Sequence, residues 1–262
     1  MKVGAVLPAG GGMEARYARE TGVTSRALLR FGGETMVGRT IRALRETGRV
    51  GAIVVVGPAE VREHETARGA DGALPDDASY AENVLRGIQW LREKANDQLA
   101  RALIVATDLP FVTAEAVNGF VSRCPAEADI CLPVVRRSEY EQRFPGAPTR
   151  FFRFADGLCA LGCASLVNPE ALERTRGRIE RALASRKNPL AMAAMLGLPF
   201  IFRFITRSLR VAEVEERCRH LLRCSGTAVW GAAPELACDI DGIEDYRYAM
   251  AQFSEAAEGS RS

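Results

Sequence analysis

Three short stretches of the chain carry residue types that could act on a phosphorylated ligand. In the first, LPAGGG, an apolar run ends in Gly10, Gly11 and Gly12. Backbone N–H groups in a glycine-rich loop can bind phosphate oxygens, because glycine lets the chain come close to the ligand. The three glycines therefore predict a phosphate-binding loop. A plain turn between a strand and a helix remains the alternative.

The other two stretches carry carboxylates. In ALIVATDLPFVT an apolar run ends just before Asp108, and in CDIDGIEDY the residues Asp239 and Asp241 alternate along an extended segment. Side chains two residues apart in such a segment point the same way. Glu244 and Asp245 fall in the first turn of a predicted helix, where negative charge suits the helix dipole. We predict that Asp108, Asp239 and Asp241 bind Mg²⁺, which takes carboxylate and phosphate oxygens as ligands.

The composition argues against several other classes of function. With 35 basic and 33 acidic residues the net charge is +2, so bulk electrostatics does not favour nucleic-acid binding. Seven cysteines without a C-x-x-C pair predict reduced thiols in a cytoplasmic protein. The first apolar run is too short for a signal peptide. His64 and His220 have no motif beside them, so neither a histidine triad nor a zinc site is expected.

The elements that must position these residues alternate regularly through the first half of the chain. Apolar runs predict strands at residues 3–7, 51–56, 102–106 and 129–134. Periodic stretches predict helices over residues 36–47 and after the capping residues Ser79 and Thr113. This alternation is typical of a Rossmann-like α/β fold, with a mixed, mainly parallel sheet and helices on both faces. Ligands of such sheets bind beyond the carboxyl ends of the strands, which is where Asp108 falls.

The second half of the chain follows a different pattern. RFPGAPTRFFRFADGLCALGCASLV predicts turns and short strands, with a hairpin turn at Asp156-Gly157. A helical block follows over residues 168–224, and the segment TAVWG predicts a return to the sheet before a closing helix. We predict one domain over residues 1–255, with a core of 1–135 and 225–255, a β-rich and helical insertion at about 140–224, and a frayed tail at 256–262.

An apolar stretch over residues 188–209 has about the length that a membrane-spanning helix needs. Pro199 interrupts it, however, and Arg203 lies within it. We predict two helices that meet near Leu198-Pro199 and pack on the domain or on a second copy in a homodimer. A helix lying on a membrane surface remains open as an alternative.

The glycine loop also fits the pattern G-x-G-x-x-A of dinucleotide-binding folds. That fold needs an acidic residue at the end of the next strand, but the strand GAIVVV ends in Gly57-Pro58. The second common phosphate loop requires G-K-[ST] after the glycines, and this signature is missing here. A loop that wraps the phosphates of a nucleoside triphosphate is the remaining functional interpretation.

In this order the motifs resemble the nucleotidyltransferases of the molybdenum-cofactor guanylyltransferase type, a MobA-like group that includes cytidylyltransferases of isoprenoid synthesis and sugar-phosphate nucleotidyltransferases. The stretches that carry the resemblance are LPAGGG, SRALLRFGGETMVGRTI, VATDLPFVT and DIDGIEDY, within residues 1–135 and 227–250. The resemblance implies an enzyme that transfers a nucleoside monophosphate from an NTP to a phosphorylated small-molecule acceptor. It further implies that pyrophosphate is released and that Mg²⁺ is required.

The resemblance also implies a role for individual residues. Arg26, Asp108 and Asp241 would be catalytic, and Asp108, Asp241 and Asp239 would hold the metal. Arg150 and Arg153 are the candidates to bind the phosphate of the acceptor, and a solvated strand face is the alternative for them. The residues implied to bind the nucleotide are Leu7, Ala9, Gly10, Gly11, Gly12, Arg16, Arg26, Asn83 and Asp108.

Three positions depart from the pattern of the group. Arg26 stands where relatives have lysine, Glu14 where they have arginine, and Leu161-Gly162-Cys163 where they have Gly-Gly-Asn. Arg16 lies two positions after Glu14 and is a candidate to replace the missing arginine. Two alternatives stay open: a non-catalytic nucleotide-binding regulator on the same fold, and a membrane-peripheral transferase that acts on a lipid-linked precursor.

Overall fold

The computed structural model describes residues 3–13, 15–76, 79–96, 98–185, 195 and 197–259. The strands in these ranges are β1 (Val3–Pro8), β2 (Arg30–Phe31), β3 (Glu34–Thr35), β4 (Val50–Gly57), β5 (Gly72–Pro75), β6 (Ala102–Val105), β7 (Ile130–Arg136), β8 (Phe152–Phe154), β9 (Gly157–Leu161), β10 (Ala164–Val167) and β11 (Gly226–Trp230). The α-helices are α1 (Ala15–Thr21), α2 (Met36–Glu46), α3 (Ala59–Arg62), α4 (Tyr80–Lys94), α5 (Ala114–Arg123), α6 (Arg137–Arg143), α7 (Pro169–Ser185), α8 (Leu198–Ile205), α9 (Val211–Leu222) and α10 (Ile243–Gly259).

Within the described residues the main sheet has nine strands. Eight lie in the order β5-β4-β1-β6-β10-β7-β9-β8, and the ninth, β11, pairs with β7. Strands β5, β4, β1 and β6 run parallel, and so do β7 and β11. Strand β10 is antiparallel to both β6 and β7, and β8 and β9 are antiparallel to their neighbours. The prediction of a mixed, mainly parallel sheet is confirmed. The strands β2 and β3 form a separate small hairpin.

The continuous apolar runs arise because both faces of the central strands are covered. Leu7 of β1 packs in one cluster with side chains of α2 and α5, including Leu44 and Phe120. The neighbouring Val6 points to the other face, where it packs with side chains of α4 such as Ile88. Helix α7 covers the same face through Leu172. Helices therefore lie on both faces, as the fold class predicts.

The helices that follow the strands begin at side-chain caps. The hydroxyl oxygen of Ser79 accepts the backbone N–H of Glu82 at 3.1 Å, and Thr113 accepts that of Ala116 at 3.1 Å. These contacts satisfy N–H groups that the first turn of a helix leaves unpaired. Both helix starts were predicted from the sequence and are confirmed.

The second half of the chain contributes to the same sheet. Strands β8 and β9 form the hairpin predicted around Asp156-Gly157, and β10 inserts between β6 and β7. The limits of the domain, the insertion and the tail are not tested by these pairings and stay a prediction.

Of the two helices predicted to meet near Leu198-Pro199, the first lies largely outside the described residues, because 186–194 and 196 are not among them. Helix α8 begins at Leu198, and its side chains Leu198, Phe202 and Ile205 are exposed. No helix in the described part of the chain is both long enough and apolar enough to cross a bilayer. The predicted homodimer stays a prediction.

The contact between α4 and β1 leads to a stability prediction. A Cβ atom added at Gly87 of α4 would lie 2.5 Å from Cγ1 of Val6, whose side chain is fixed in the core. We expect Gly87→Ala to lower the free energy of unfolding by about 1–3 kcal/mol, because overpacking forces side chains and backbone apart. Urea unfolding followed by circular dichroism measures the change.

The matched control is Gly177→Ala in α7, where an added Cβ would have no neighbour within 4 Å. Alanine is the better helix former, so this variant should gain about 0.5–1 kcal/mol. Equal effects of the two substitutions would contradict the close packing of α4 on β1.

Candidate functional site

The glycine loop leaves β1 at the carboxyl edge of the parallel strands. A Cβ atom on Gly10 would lie 2.9 Å from Oδ2 of Asp76, and one on Gly11 would lie 2.9 Å from Nη2 of Arg26. None of the three glycines of the loop has a positive φ. At these two positions the missing Cβ leaves room for the ends of neighbouring side chains, and neither position has a backbone conformation that calls for glycine.

Arg26 connects this loop to both carboxylate segments. One nitrogen of its guanidinium, Nη1, donates to the carbonyl oxygen of Ile240 at 3.0 Å and to Oδ1 of Asp241 at 2.8 Å. The same nitrogen lies 3.4 Å from Oδ2 of Asp108. Burial alone would lower the pKa of Arg26, but Asp108 and Asp241 raise it above its ordinary value. The guanidinium therefore stays charged at this position.

The three predicted metal ligands lie together. Asp108, Asp239 and Asp241 each offer a carboxylate oxygen, and these oxygens all lie within 4.8 Å of one another. The backbone N–H of Ile240 donates to the carbonyl oxygen of Asp108 at 2.9 Å, which joins the two segments directly. The structure thus brings together side chains from the middle and the end of the chain. Their role as metal ligands stays a prediction.

The electrostatics of the cluster suits a bound cation. Burial raises the pKa of Asp108 to about 7, with Asp239 and Asp241 adding to the effect and Arg26 opposing it. Burial and the charge of Asp241 likewise raise the pKa of Asp239. The side chain of Asp108 is 18% exposed and that of Asp241 is 80% exposed, so the cluster runs from the interior to solvent. A cation would relieve the repulsion of these carboxylates.

Several polar atoms around the cluster have no partner within the described residues. They are Oδ1 of Asp108, Nε of Arg26 and the hydroxyl oxygens of Tyr17 and Ser25, all of them buried. Unpaired buried polar atoms are uncommon in folded proteins and commonly indicate a ligand or an ion. The carboxylate oxygens of the three aspartates, including the unpaired Oδ1 of Asp108, are hard ligand atoms that fit Mg²⁺. Mg²⁺ keeps several waters and therefore uses few carboxylates.

A cavity of about 240 Å³ opens beside the cluster at the glycine loop. The predicted nucleotide-binding residues that line it are Ala9, Gly10, Gly11, Arg26, Asn83 and Asp108. Tyr80 and Thr107 line it as well, and sequence reasoning missed both. Leu7 is fully buried within β1 and does not line the cavity.

A second cavity of about 630 Å³ shares Arg26 with the first. Gly12, Arg16 and Asp241 line it, so these predicted residues also meet. Sequence reasoning missed Tyr17 and Arg247, which line it from α1 and α10. No local motif marks either residue, because they meet only through the packing of the two helices. Glu14 lies outside the described residues.

The two predicted acceptor-binding arginines lie elsewhere. Arg153 is an exposed residue of β8 at the end of the main sheet, and Arg150 is exposed just before that strand. Neither lines the two cavities around Arg26. Their role toward an acceptor stays a prediction.

Comparison with known proteins gives a family match over most of the chain. A family model described as a MobA-like NTP transferase domain matches residues 4–223. A phosphoenolpyruvate guanylyltransferase of Sphaerobacter thermophilus is 29% identical over 145 residues, which are 55% of this chain and 65% of that protein. The chain thus spans just under two thirds of the length of this curated relative.

Solved structures with the same fold are also found. A hypothetical transferase from Thermus thermophilus is 28% identical with a TM-score of 0.82, covering 94% of this chain and 99% of that one. A nucleotidyl transferase from Methanothermobacter thermautotroptrophicus has a TM-score of 0.59 at 16% identity, covering 97% and 99% of the two chains. At that identity the second likeness concerns the fold alone.

Ionisation of Asp108 should lower the stability of the metal-free protein. Its pKa is about 7 in the folded chain, against about 3.9 in an unfolded one. The folded state binds more protons between these values, so the free energy of unfolding falls as the pH rises through this range. Asp108→Asn removes this loss. We compare the free energy of unfolding of the variant with that of the parent. The difference in favour of the variant should be about 1–2 kcal/mol larger at pH 8 than at pH 5.

Thermal melting in the presence of a chelator measures this, since each 1 kcal/mol corresponds to about 2–4 °C for a chain of this size. Glu115→Gln, on the exposed side of α5, removes a carboxylate outside the cluster and should show no such dependence on pH. An Asp108→Asn variant that is no better stabilised at pH 8 than at pH 5 would contradict the burial of this charge.

Proposed function

Because the chain belongs to the family of MobA-like NTP transferase domains, we propose that it transfers a nucleoside monophosphate from an NTP to a phosphorylated small-molecule acceptor, with Mg²⁺ and with release of pyrophosphate. The family predicted from the sequence motifs is confirmed. The nucleotidyltransferase activity of this chain belongs to the proposal. The donor base, the acceptor and the metal are part of the proposal.

The observation that carries the proposal is the meeting of three parts at one edge of the sheet. The glycine loop, the Arg26 guanidinium and Asp108 border the same cavity, and Asp239 and Asp241 lie next to Asp108 in the carboxylate cluster. Nucleotidyl transfer requires positioning and charge neutralisation more than a covalent nucleophile. The glycine loop would position the phosphates, and the Arg26 guanidinium and a metal at the carboxylate cluster would neutralise their charge.

In the proposed reaction an oxygen of the acceptor phosphate attacks the α-phosphorus. The bond from that phosphorus to the oxygen bridging to the β-phosphate breaks, and pyrophosphate leaves with the electron pair. Backbone N–H groups of Gly10–Gly12 hold the phosphates, and Arg26 and Arg16 offset the charge on the departing pyrophosphate. Mg²⁺ bound at Asp108, Asp239 and Asp241 would supply electrostatic stabilisation of the charge that develops on the phosphoryl oxygens.

The base of the nucleotide would occupy the cavity between the glycine loop and the start of α4. Asn83 is 5% exposed and lines this cavity, and the carboxylate of Asp76 lies next to Gly10 at its border. An amide and a carboxylate can pair with the polar edge of a base. The name of the guanylyltransferase relative makes GTP the first donor to test, and phosphoenolpyruvate the first acceptor.

A direct test measures pyrophosphate release with each NTP, Mg²⁺ and a panel of phosphorylated small acids. We expect turnover with one NTP and a loss of at least about 100-fold in Asp108→Ala, because a buried charge at the reacting phosphate is removed. Glu115→Ala, exposed on α5, is the control and should keep the activity of the parent. Turnover that survives intact in Asp108→Ala would overturn the assignment of the cluster.

The same assay separates the enzyme from its alternatives. A regulator would be stabilised thermally by NTP and Mg²⁺ but would release no pyrophosphate with any acceptor. A transferase of lipid-linked precursors would require vesicles that carry the acceptor, and the protein would sediment with them.

The geometry of Arg26 predicts which substitutions the site tolerates. Both of its hydrogen bonds and its contact with Asp108 involve the single nitrogen Nη1. A lysine ammonium offers one charged nitrogen with three donors, so it can replace these contacts. We expect Arg26→Lys to stay within about tenfold of the parent and Arg26→Gln to lose about 100-fold in kcat/KM.

Arg178→Gln, exposed on α7, controls for the loss of an arginine charge. Equal losses in Arg26→Lys and Arg26→Gln would mean that the planar guanidinium itself is required.

A further inference from the structure

Helix α8 presents its largest apolar side chains to solvent. Leu198, Phe202 and Ile205 are 77%, 67% and 70% exposed. Their spacing along the helix places them on one face, since residues three and four apart are neighbours on a helix surface. Side chains of these types are most often buried, and an exposed group of them commonly marks a surface that binds a partner.

The charged residue of this helix is engaged within the domain. Arg203 forms an ion pair with Glu213 of α9, and its Nη2 donates to the carbonyl oxygen of Ser208 at 3.2 Å. Just after the helix, Leu209 is buried and its carbonyl oxygen accepts the N–H of Ala155 at 2.8 Å. These contacts hold the helix on the domain, while its apolar face is left toward solvent.

The apolar surface continues from α8 onto the sheet. The ring of Phe204 packs against that of Phe154 in β8, with the two centroids 6.2 Å apart. Phe154 also lines a pocket of about 160 Å³ that is mainly apolar and is bordered by strands β7 and β9 and by α9. Leu132 and Leu161 line this pocket too, and both are exposed. The apolar face of α8 is therefore part of a wider apolar surface.

The charges of the chain around α8 have one sign. Residues 198–210 include three arginines and no acidic residue. Two of these arginines, Arg207 and Arg210, are exposed and form no ion pair with any residue that the structure describes. An apolar helix face with basic residues beside it matches a bilayer that has a negative surface and an apolar interior.

We propose that α8 lies on the surface of an anionic membrane, with Leu198, Phe202 and Ile205 inserted at the boundary of the acyl chains and Arg207 and Arg210 against the lipid headgroups. The helix has eight residues, so it is too short to cross the bilayer. A second copy of the chain matches this face less well. A twofold contact centred on α8 would bring the same arginines of both copies together.

The experiment measures co-sedimentation of the whole protein with two kinds of vesicle. One kind contains phosphatidylglycerol and phosphatidylcholine in equal amounts, and the other contains phosphatidylcholine alone. We expect binding to the anionic vesicles to be at least about tenfold stronger, because two arginines meet a negative surface. Added salt should weaken this binding by screening the charges. No nucleotide is added, so the result does not depend on the proposed transferase activity.

The apolar face is tested by the double substitution Phe202→Ser and Ile205→Ser. We expect it to weaken binding to anionic vesicles by about tenfold or more, because membrane affinity scales with the apolar area that is buried. Both side chains are exposed, so the core is left unchanged, and thermal melting followed by circular dichroism checks the fold. Met250→Ser removes an exposed apolar side chain of α10 and should bind like the parent.

The basic residues are tested by the double substitution Arg207→Glu and Arg210→Glu. We expect it to weaken binding to anionic vesicles by about tenfold or more and to leave binding to neutral vesicles unchanged. Arg49→Glu with Arg68→Glu makes the same change of charge at exposed residues that precede β4 and β5, at the other end of the sheet from β8. This control should bind like the parent.

Three results would overturn the proposal. The first is a parent that does not sediment with anionic vesicles, or that binds neutral vesicles equally well. The second is unchanged binding in the folded variant with Phe202→Ser and Ile205→Ser. The third comes from light scattering: a parent that ignores vesicles and is dimeric, while that variant is monomeric, would show that a second copy covers α8.

Discussion

The site depends on the balance between one half-buried guanidinium and three neighbouring carboxylates. Asp108, Asp239 and Asp241 lie close enough to repel one another, and two of them are shielded from bulk water. Arg26 contacts the first and the last of the three through one nitrogen. Charges placed in this way are costly unless they are paired, so the arrangement persists only because the surrounding fold holds all four groups in place. Under the proposed function, the cation and the triphosphate would meet groups that the fold already orients.

The fold supplies that support by joining distant parts of the chain at the carboxyl edge of the sheet. Gly11 leaves room for the Arg26 guanidinium, and the N–H of Ile240 donates to the backbone of Asp108. Ile240 itself packs in a cluster with Tyr17 near the start of α10. Asp245 accepts the backbone N–H groups of residues 241 and 242, which fixes the turn into that helix. The rigidity of the site thus comes from backbone hydrogen bonds and apolar packing outside it.

The family match and the contacts at the site cover different parts of the chain. The family match over residues 4–223 includes the glycine loop, Arg26 and Asp108, but the segment with Asp239 and Asp241 lies beyond it. That last segment joins the site through its contacts with the matched part of the chain. The backbone hydrogen bond from the N–H of Ile240 to the carbonyl oxygen of Asp108 connects this segment with the matched part of the chain.

Local patterns in the sequence by themselves determined β1, β4, β6 and β7, the helices α2, α4 and α5, the caps at Ser79 and Thr113 and the carboxylate motifs, because apolar periodicity and capping act over a few residues. They also determined the family. They did not predict the shorter elements of the first half, such as β5 and the hairpin of β2 and β3. Only the tertiary structure decided which of the charged residues meet. Tyr17 and Arg247 line the site although no motif marks them, because each reaches it through long-range packing. Contacts between residues far apart in the chain depend on how the elements pack, and local residue spacing does not specify that.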